Sequence, residues 1–515
     1  MIKTALISVT DKSGIVDFAA ALAKKNIRIL STGGTAKILR EAGISVEDVS
    51  EHTGFPEVMG GRVKTLHPKV FGGILMRREN AGDIEVAAKE GITPIDLVCV
   101  NLYEFEKSAA QEGLSEDDTI EQIDIGGPSL IRAAAKNYKY VTVVTRTEQY
   151  DEVIKEIAAN GETSPETRKK LAFEAFEGTS NYDTHIYKWF RGKLDMPELL
   201  DLNYEKVRTL RYGENPHQRA AFFRNKKNHD ANVTNAKVLH GKELSFNNIV
   251  DANSALELVK EFEKPAVAII KHNNPCGVAV STSIENAFDR AFHVDTLSAF
   301  GSVIALNRPV TLAIAEYIKK HKIFVELIVC PSFDADALAL LEEKVNIRLL
   351  ETGPLKLDEE KRDIKKVAGG LLVQNANTYI VSESDLKVVT KKQPTKEEIH
   401  AMLFANIICK HVMSNAVIFA KSNGESDWAT GIGAGQMSRV DSVTIAVKKG
   451  GENIPGSVMA SDAFFPFPDA VEQAAAAGVT SIISPGGSIR DQEVIDVADK
   501  LGISMVFTGY RMFRH

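Results

Sequence analysis

Residues 30–39, LSTGGTAKIL, decide the fold class of the first part of the chain. An apolar run ends here, the turn STGGT (31–35) follows, and an amphipathic helix pattern begins directly afterwards. Glycines let the backbone turn tightly, and the free N–H groups at a helix N-terminus favour an anion. The motif predicts either a phosphate site or an ordinary strand-to-helix turn with a threonine cap.

The same alternation of apolar runs and amphipathic stretches extends over residues 4–145. Runs such as TALISV, IRILST and DLVCVNLY are typical of strands, and GIVDFAAALAKKN is typical of a helix. This pattern predicts an α/β domain with a parallel sheet. Residues 151–195 then become helical and polar, which places a domain boundary near 198.

Residues 199–515 predict a second α/β part. Apolar runs recur at PAVAIIK, GSVIALN, NAVIFAK, TSIISPGG and ISMVFTG, with helix patterns between them. A part of about 315 residues is long enough for two lobes, and a polar stretch near 360–395 is the expected seam between them. The sequence itself shows no obvious internal repeat.

Composition excludes several classes of protein. Of the 515 residues, 44% are hydrophobic and 25% are charged, and the net charge is -7. No bulk positive field is therefore available for nucleic acid or for an anionic membrane surface. No segment approaches the roughly 18 apolar residues that span a bilayer, and we expect a cytoplasmic protein. The four cysteines are far apart, which indicates neither a disulfide framework nor a zinc cluster.

A glycine-flanked basic loop follows in the first domain. GGRVKTLHPKVFGG (60–73) contains Arg62, Lys64, His67 and Lys69. This composition suits a loop that grips an anion, although a solvated basic loop is the alternative. SVTDKSG (8–14) is a further turn whose Lys12 can reach the edge of a parallel sheet where ligands bind.

Acid and base groups accompany these loops. EQIDIGGPSLIRAAAKN (121–137) places Asp124 before a glycine pair and Lys136 further along the following helix, and Tyr103 closes the strand DLVCVNLY. With Lys64, this set could perform general acid–base chemistry on a phosphorylated substrate. Composition alone does not establish that activity.

The stretch AIIKHNNPCGVAV (268–280) interrupts a buried strand pattern with Lys271 and His272. An adjacent cation and imidazole suit a reaction in which one proton is removed and another is supplied. Pro275 and the two preceding asparagines indicate that the strand has ended, so that both side chains can converge in a loop. A surface pair is the alternative interpretation.

Further motifs combine glycine, proline or aromatic residues with polar groups: LRYGENPHQ (210–218), HVMSNAVIFAK (411–421), GIGAGQMSR (431–439), SDAFFPFPD (461–469) and SPGGSIRD (484–491). GIGAGQ is not the dinucleotide fingerprint. Phe464, Phe465 and Phe467 could form a rigid apolar wall for a flat ligand or a packed corner, and we favour the wall.

Taken together and in order, STGGT, GGRVKTLHP, NLY, IDIGGPSLIRAAAKN, LRYGENPHQ, KHNNPCG, SNAVIFAK, GIGAGQMSR and SDAFFPFPD resemble one family across essentially the whole chain. This is the family of bifunctional purine-biosynthesis enzymes that join an IMP cyclohydrolase to a transformylase acting on aminoimidazole carboxamide ribonucleotide (AICAR). The resemblance implies a methylglyoxal-synthase-like domain at 1–198, with its core at about 1–146. It also implies a transformylase of two cytidine-deaminase-like lobes at 199–515.

The resemblance also implies roles for individual residues. Catalytic roles fall on Lys271, His272 and Asn415 for formyl transfer, and on Lys64, Tyr103, Asp124 and Lys136 for ring closure. Substrate-binding roles fall on Lys12, Ser31, Gly33, Gly34, Thr35, Arg62, Thr65, Asn101, Gly126, Gly127, Arg211, Tyr212, Gly301, Glu326, Arg439, Phe464, Pro466, Asp469 and Arg511. Glu326 stands where the family pattern is associated with an aspartate.

The implied co-substrate is 10-formyltetrahydrofolate, and the implied nucleotides are AICAR, formyl-AICAR and inosine monophosphate (IMP). The resemblance further implies a homodimer. No zinc is expected, because the sequence lacks the His-x-Glu and Pro-Cys-x-x-Cys pattern of zinc deaminases. Two alternatives stay open: a phosphate-sensing regulatory module in the first domain, and a deaminase-like hydrolase in the second.

Overall fold

The computed structural model describes residues 1–102, 105–111, 113–194, 200, 202–225, 228–357 and 361–515. The chain folds into two units, Met1–Leu200 and Asp201–His515. The predicted boundary near 198 falls within 195–199, outside the described residues, and it stays a prediction.

The first unit is built around a parallel sheet. Its strands are β1 (Thr4–Ser8), β2 (Arg28–Ser31), β3 (Glu47–Asp48), β4 (Leu97–Val100) and β5 (Thr142–Val144). They pair in parallel in the order β3-β2-β1-β4-β5. The predicted parallel α/β domain is therefore confirmed.

Helices surround this sheet. They are α1 (Ile15–Ala23), α2 (Gly33–Glu41), α3 (Val49–Thr53), α4 (Pro68–Leu75), α5 (Ala81–Lys89), α6 (Phe105–Ala109), α7 (Glu116–Ile120), α8 (Gly126–Lys136), α9 (Tyr150–Asn160) and α10 (Pro165–Lys193), with short 3-10 turns at Met59–Gly61 and Thr147–Gln149. The predicted helical stretch at 151–195 corresponds to α9 and α10.

The core of the first unit forms where the strands and one face of each main helix meet. Residues 5–7 of β1 are fully buried, and Leu130 and Ile131 of α8 pack in the same apolar cluster. Burying apolar surface of this kind contributes roughly 25 cal/mol per Å². The sheet is therefore a firm base for the loops at its carboxyl edge.

The strands of the second unit are β6 (Glu205–Leu210), β7 (Ala220–Arg224), β8 (Lys237–His240), β9 (Ala266–Lys271), β10 (Asn274–Val280), β11 (Ser302–Leu306), β12 (Val325–Cys330), β13 (Arg348–Glu351), β14 (Arg362–Val367), β15 (Gly370–Asn375), β16 (Lys387–Val388), β17 (Val417–Ser422), β18 (Asp427–Gly433), β19 (Val458–Ser461), β20 (Ser481–Ser484) and β21 (Ser504–Phe507). Most of them form one mixed sheet. Its order is β16-β21-β20-β19-β17-β18-β10-β9-β11-β12-β13-β8.

The helices of the second unit lie between these strands. They are α11 (Phe246–Val259), α12 (Ile284–Phe292), α13 (Leu312–Lys320), α14 (Ala335–Glu342), α15 (Lys396–Cys409), α16 (Arg439–Gly450), α17 (Asp469–Ala476) and α18 (Asp491–Leu501). Short 3-10 turns occur at Glu383–Asp385 and Gly451–Asn453.

The second unit contains a structural repeat that the sequence does not reveal. The elements from β8 to β13 follow the order β-α-β-β-α-β-α-β-α-β, and the elements from β16 to β21 follow the same order. The two halves also share their strand order in the sheet and meet through antiparallel pairing of β10 with β18. The hairpin β14–β15 lies in the connection between the halves, within the predicted seam.

The structure corrects one local prediction. Lys271 is the last residue of β9 and pairs with Asn274, the first residue of β10, so only His272 and Asn273 form the turn. Both turn residues have positive φ, 51° and 64°, as a two-residue hairpin requires. Pro275 misled the prediction, because it lies in β10 at a β-bulge, where strand prolines are tolerated.

All four cysteines, Cys99, Cys276, Cys330 and Cys409, are buried and unpaired, as the sequence predicts. Burial raises the pKa of the Cys99 and Cys276 thiols to about 12. These thiols therefore stay protonated in the core at neutral pH.

Among the described helices, none has both the length and the apolar character that crossing a bilayer requires.

Candidate active sites

The first unit has a cavity of about 630 Å³ at the carboxyl ends of β1, β2 and β4. This edge lies where the strand order reverses, which is the usual ligand position in open α/β sheets. The cavity brings together most of the residues predicted for this unit: Lys12, Gly33, Gly34, Thr35, Arg62, Lys64, Thr65, Asn101, Asp124, Gly126 and Gly127.

The N-terminus of α2 faces this cavity. Gly33 opens the helix with φ 49°, and the N-cap Thr32 makes no side-chain cap hydrogen bond. The first N–H groups of the helix have no intrahelical partner, so they can donate to an anion. The strand, turn and helix predicted from STGGT are confirmed by β2 and α2.

Thr35 organises the adjacent loop. Its hydroxyl accepts hydrogen bonds from the Val9 N–H at 3.1 Å and the Lys12 Nζ at 2.9 Å, and it lies 3.0 Å from the Val9 carbonyl oxygen, to which it donates. Burial lowers the pKa of Lys12, although Asp11 opposes the shift. Lys12 is thus fixed at the cavity edge rather than free in solvent.

The basic loop is neutralised in part by carboxylates. Lys64 Nζ lies 2.9 Å from Glu57 Oε1, and Arg62 pairs with Glu121 through its guanidinium. Both cations line the cavity. A bound anion would compete with these half-exposed carboxylates, and exposed pairs contribute only about 0–1 kcal/mol each.

Asp124 is the acid–base group best defined by its surroundings. Its Oδ1 accepts a hydrogen bond from the Gly127 N–H at 2.8 Å. Burial raises the pKa of this carboxyl, while the N–H groups of Gly127 and Gly126 oppose the shift. Its own N–H donates to the Tyr182 hydroxyl at 2.6 Å, which ties the loop to α10.

Asn101 closes the cavity on the β4 side. Its carboxamide oxygen accepts hydrogen bonds from the N–H groups of Thr10, at 2.5 Å, and Asp11, at 3.1 Å. Its amide nitrogen donates back to the Asp11 carbonyl oxygen. In this chain Asn101 therefore shapes the loop that carries Lys12.

Three predicted residues are not placed in the cavity. Ser31 is fully buried in β2 and donates to the Ile7 carbonyl oxygen at 2.6 Å. Lys136 is exposed at the far end of α8, about 15 Å from the Gly126 end at the 1.5 Å rise of a helix. Tyr103 lies outside the described residues. Their functional roles stay predictions.

In the second unit, Lys271 and His272 lie at the tip of the β9–β10 hairpin. Lys271 Nζ donates to the Phe300 carbonyl oxygen at 2.7 Å, and the His272 side chain is exposed. Asn274 Oδ1 accepts a hydrogen bond from the Met413 N–H at 3.0 Å. This contact places the hairpin of the first half beside the 411–415 segment of the second half.

Asn415 is fixed by a polar network. Its Nδ2 donates to the carbonyl oxygens of Gln436 at 2.8 Å and Met437 at 3.1 Å. Its Oδ1 accepts from an Arg439 Nη1 that lies 3.0 Å away. The predicted residues Asn415 and Arg439 are therefore direct neighbours, although 24 positions separate them in sequence.

Arg439 in turn pairs with a carboxylate that the sequence did not single out. Its Nη1 lies 2.9 Å from Oδ1 of Asp462, whose side chain is fully buried. Burial lowers the pKa of Arg439 and raises that of Asp462, and each charge opposes the shift of the other. Removing one partner of a buried pair leaves an unpaired buried charge and costs about 3–5 kcal/mol, and the same Arg439 Nη1 donates to Asn415.

The three phenylalanines of the SDAFFPFPD motif differ in solvent exposure. Phe464 and Phe467 are exposed, whereas Phe465 is 1% exposed and packs in the core. The Arg490 guanidinium lies over the Phe467 ring at 4.8 Å. Two of the three rings, with the exposed Pro466, could therefore contact a flat ligand, and the exposed Asp469 begins α17 next to them.

Two other predicted arginines have local aromatic contacts. Arg211 donates to the Tyr212 hydroxyl at 2.8 Å and lies over its ring, and Arg511 lies over the Phe513 ring at 4.5 Å. Both arginines are exposed. They are available to a phosphate without breaking a described ion pair.

Gly301 and Glu326 occupy the first half. Gly301 has φ 70°, and its N–H donates to the Phe324 carbonyl oxygen at 2.7 Å. Glu326 Oε2 accepts a hydrogen bond from Asn248 Nδ2 at 2.9 Å. Asn248 is the buried partner that fixes the position of this carboxylate.

Among the described residues, no group of three or more His, Cys, Asp or Glu side chains is arranged to hold a metal ion. The absence of zinc stays a prediction.

Together, the fold and the two clusters of residues define an α/β protein with a cavity lined by Lys12, Arg62 and Lys64 in one unit and a Lys271–His272 hairpin in the other. Comparison with known proteins identifies the family. Residues 134–449 match the AICARFT/IMPCHase bienzyme family, and residues 14–129 match the MGS-like domain. The chain belongs to the AICARFT/IMPCHase bienzyme family.

Relatives that match over the full length of the chain have names consistent with this family. Proteins described as "Bifunctional purine biosynthesis protein PurH" from Ruminiclostridium cellulolyticum and Acetivibrio thermocellus are each 50% identical to this chain over 520 residues. That of Bacillus cereus is 48% identical over 517 residues. Each match covers 100% of both chains. A solved structure titled "Crystal structure of ForH" is 38% identical, covers 36% of this chain and 96% of its own, and has a TM-score of 0.34.

The predicted fold and enzyme class are thereby confirmed. The N-terminal part is MGS-like with a parallel sheet, and the chain is a bifunctional AICAR formyltransferase and IMP cyclohydrolase that acts in the last two steps of IMP synthesis. Sequence interpretation missed Asn274 and Asp462. Both stood in quoted motifs, but only the folded chain shows that Asn274 bonds to Met413 and that Asp462 pairs with Arg439.

Proposed function

We propose that the two activities occupy separate units, with the cyclohydrolase at 1–198 and the transformylase at 199–515. The main support for this proposal is the cavity of the first unit, which is lined by cations, helix N-termini and Asp124. Cations and helix N-termini suit the phosphate of the substrate, and Asp124 suits the ring closure. The second unit supports the division, because it holds Lys271, His272 and the Asn415 network at one junction of its halves.

Formyl transfer from 10-formyltetrahydrofolate to AICAR needs a base and an acid. The AICAR amine is a poor nucleophile, because its lone pair is delocalised into the ring and amide. His272 removes a proton from this amine as it attacks the formyl carbon, and Lys271 protonates the folate nitrogen as the C–N bond breaks. Asn415 orients the formyl group and stabilises its developing oxyanion.

The remaining predicted residues of this unit bind the two substrates. Phe464 and Pro466 offer an apolar face to a flat ring, and the exposed arginines offer charge to the nucleotide phosphate. The proposed contacts of both ligands are Arg211, Tyr212, Gly301, Glu326, Arg439, Phe464, Pro466, Asp469 and Arg511.

Ring closure joins the carboxamide nitrogen of formyl-AICAR to the formyl carbon, and water leaves to give IMP. Asp124 accepts a proton from the attacking carboxamide nitrogen, and Lys64 stabilises negative charge on the formyl oxygen. The oxygen leaves as water after it takes the proton held by Asp124 and the proton of the formamide nitrogen. Tyr103 and Lys136 complete the proposed catalytic set. Lys12, Ser31, Gly33, Gly34, Thr35, Arg62, Thr65, Asn101, Gly126 and Gly127 form the proposed binding set for the phosphate and its neighbouring atoms.

A homodimer in the cytoplasm is the proposed state of the protein. The β14–β15 hairpin supports a second copy as partner, because Val367, Leu371, Leu372 and Val373 are all more than two-fifths exposed. Sedimentation velocity of wild-type protein and Leu372→Asp tests this. A monomeric wild type would contradict the proposal, and cell fractionation tests the location.

The direct test of function mixes the protein with AICAR and 10-formyltetrahydrofolate, follows tetrahydrofolate release and separates the nucleotides. IMP in step with tetrahydrofolate is the expected result. Formyl-AICAR without IMP would support the regulatory alternative for the first unit. Turnover that requires added zinc would support the deaminase-like alternative for the second.

A further inference from the structure

The turn that carries His272 is held by side chains that the proposed chemistry does not use. Asp251 in α11 accepts a hydrogen bond from the Asn273 N–H at 2.7 Å. Ser254, one helical turn further along α11, donates its hydroxyl to Asn273 Oδ1. The helix therefore supports this turn from one side.

Arg514 supports the same turn from the other half of the unit. One guanidinium nitrogen donates to the His411 carbonyl oxygen at 2.6 Å. The other lies 3.3 Å from both Ser254 Oγ and Asn273 Oδ1. The Arg514 carbonyl oxygen also accepts a hydrogen bond from the Ser414 N–H at 2.9 Å. One residue thus contacts the His272 turn and both His411 and Ser414 of the 411–415 segment.

The chemistry of these contacts calls for arginine. The hydrogen bonds that the structure describes for the Arg514 guanidinium go to uncharged oxygens. Burial lowers its pKa, and the carboxylate of Asp363 opposes the shift. A planar fork with fixed donors can reach two segments at once, whereas a lysine ammonium is a single point charge.

We propose that Arg514 is a positioning residue for formyl transfer, whose guanidinium fixes the His272 turn against the 411–415 segment that carries Asn415. This inference rests on the proposed roles of His272 and Asn415. A misplacement of about 1 Å between reacting groups can cost on the order of 100-fold in rate, so a residue that sets their spacing acts on kcat.

The test compares Arg514→Met and Arg514→Lys with the wild type in the full-length protein. Arg514→Met is expected to lower kcat for formyl transfer about 100-fold, with KM for AICAR and folate within about threefold. The kcat of Arg514→Lys should lie between those of Arg514→Met and the wild type. Ring closure of supplied formyl-AICAR, proposed for the first unit, should be unchanged, and thermal melting that matches the wild type would show that the second unit, which contains Arg514, is folded.

Arg308→Met is the matched control. Arg308 also donates to backbone carbonyl oxygens of the second unit, those of Asn307 and Glu263, and the hydrogen bonds described for it reach no residue of the proposed site. Formyl transfer by this variant should match the wild type. An equal loss in Arg308→Met and Arg514→Met would overturn the positioning role.

A double-mutant cycle with Asn273→Gly separates positioning from general stability. Glycine adopts the positive φ of this position and removes the carboxamide whose Oδ1 accepts from Ser254 and Arg514. If Arg514 acts through the turn, the double variant should be no slower than the slower single variant. Additive losses would contradict the inference. Where Arg514→Met does not fold, Arg514→Lys supplies the same cycle.

The proposed function and this inference fail in different ways. Full formyl transfer by His272→Ala would remove the assigned role of His272, whatever Arg514 does. If His272→Ala lacks formyl transfer and Arg514→Met keeps full formyl transfer, the role of His272 stands and the positioning role of Arg514 is wrong.

Discussion

The two candidate sites are built in different ways. In the first unit, loops after parallel strands and the N-termini of α2 and α8 surround one cavity, and the proposed anion site uses backbone N–H groups of α2 together with cationic side chains. In the second unit, a hairpin turn from one half meets a segment from the other half, and side chains hold the two together.

This difference has a physical consequence. A site made from backbone N–H groups should survive the loss of many single side chains, because the fold itself places the donors. A site assembled at a junction of two halves depends on each bridging side chain. Substitutions should therefore separate the two activities.

The largest expected effect is on the second unit. His272→Ala should lower formyl transfer by about 10²–10⁴-fold, the usual contribution of a general base. Ring closure of supplied formyl-AICAR should stay at the wild-type rate. Quenched reactions, in which tetrahydrofolate and IMP are separated and quantified, measure the rates of formyl transfer and ring closure. A loss of ring closure in this variant would show that the two sites are not independent.

Asp124→Ala should produce the opposite pattern. Removing the proposed base should lower ring closure by about 10²–10³-fold, while the initial rate of tetrahydrofolate release is unchanged. Formyl-AICAR should accumulate. Asp83→Ala is a suitable control, because Asp83 pairs with Arg77 away from the cavity. An Asp124→Ala variant that makes IMP at the wild-type rate would restore the regulatory alternative.

Gly127→Ala should have a smaller effect on the same step. An alanine Cβ at this position would lie 2.2 Å from Asp124 Oδ2, so the carboxylate must move. Ring closure should fall about 10- to 100-fold, as for other displaced catalytic groups. Gly178→Ala in α10 is the control, because a Cβ added at Gly178 has no other atom within 4 Å. This variant should keep the wild-type rate of ring closure. Equal activity of both variants would show that the Asp124 position does not matter.

The smallest expected effect concerns pH and stability. Burial raises the folded-state pKa of Asp124 above its ordinary 3.8, so ionisation of this carboxyl opposes folding. Asp124→Asn should therefore melt at a higher temperature than the wild type at pH 7. The difference should shrink as pH falls through the folded pKa and vanish below 3.8. Calorimetry of both proteins across this range measures it, and a difference that grows at low pH would contradict the sign.

Local sequence patterns predicted most of the residues that line the cavity of the first unit. Each of its loops follows its own strand, and β1, β2 and β4 are parallel, so their carboxyl ends meet at one edge. STGGT, the basic loop and Asp124 could therefore be placed together without knowing the rest of the fold. Lys136 shows the limit, since its distance from the cavity depends on the length of α8.

The second site was less accessible to sequence interpretation. The two halves share element order without a visible sequence repeat, because topology constrains burial patterns more than residue identities. Contacts between Asn274 and Met413, or Arg439 and Asp462, depend on how β10 and β18 pair. Arg514 carried no local signal, because its partners are backbone and side-chain oxygens far away in sequence.

The central claim is that each unit carries one complete reaction, and mixing two inactive variants tests it most directly. His272→Ala and Asp124→Ala proteins, each alone with AICAR and 10-formyltetrahydrofolate, should form almost no IMP. Mixed together they should form IMP, because formyl-AICAR made by one chain can be closed by the other. IMP formation by either variant alone at the wild-type rate, or none in the mixture, would contradict the account.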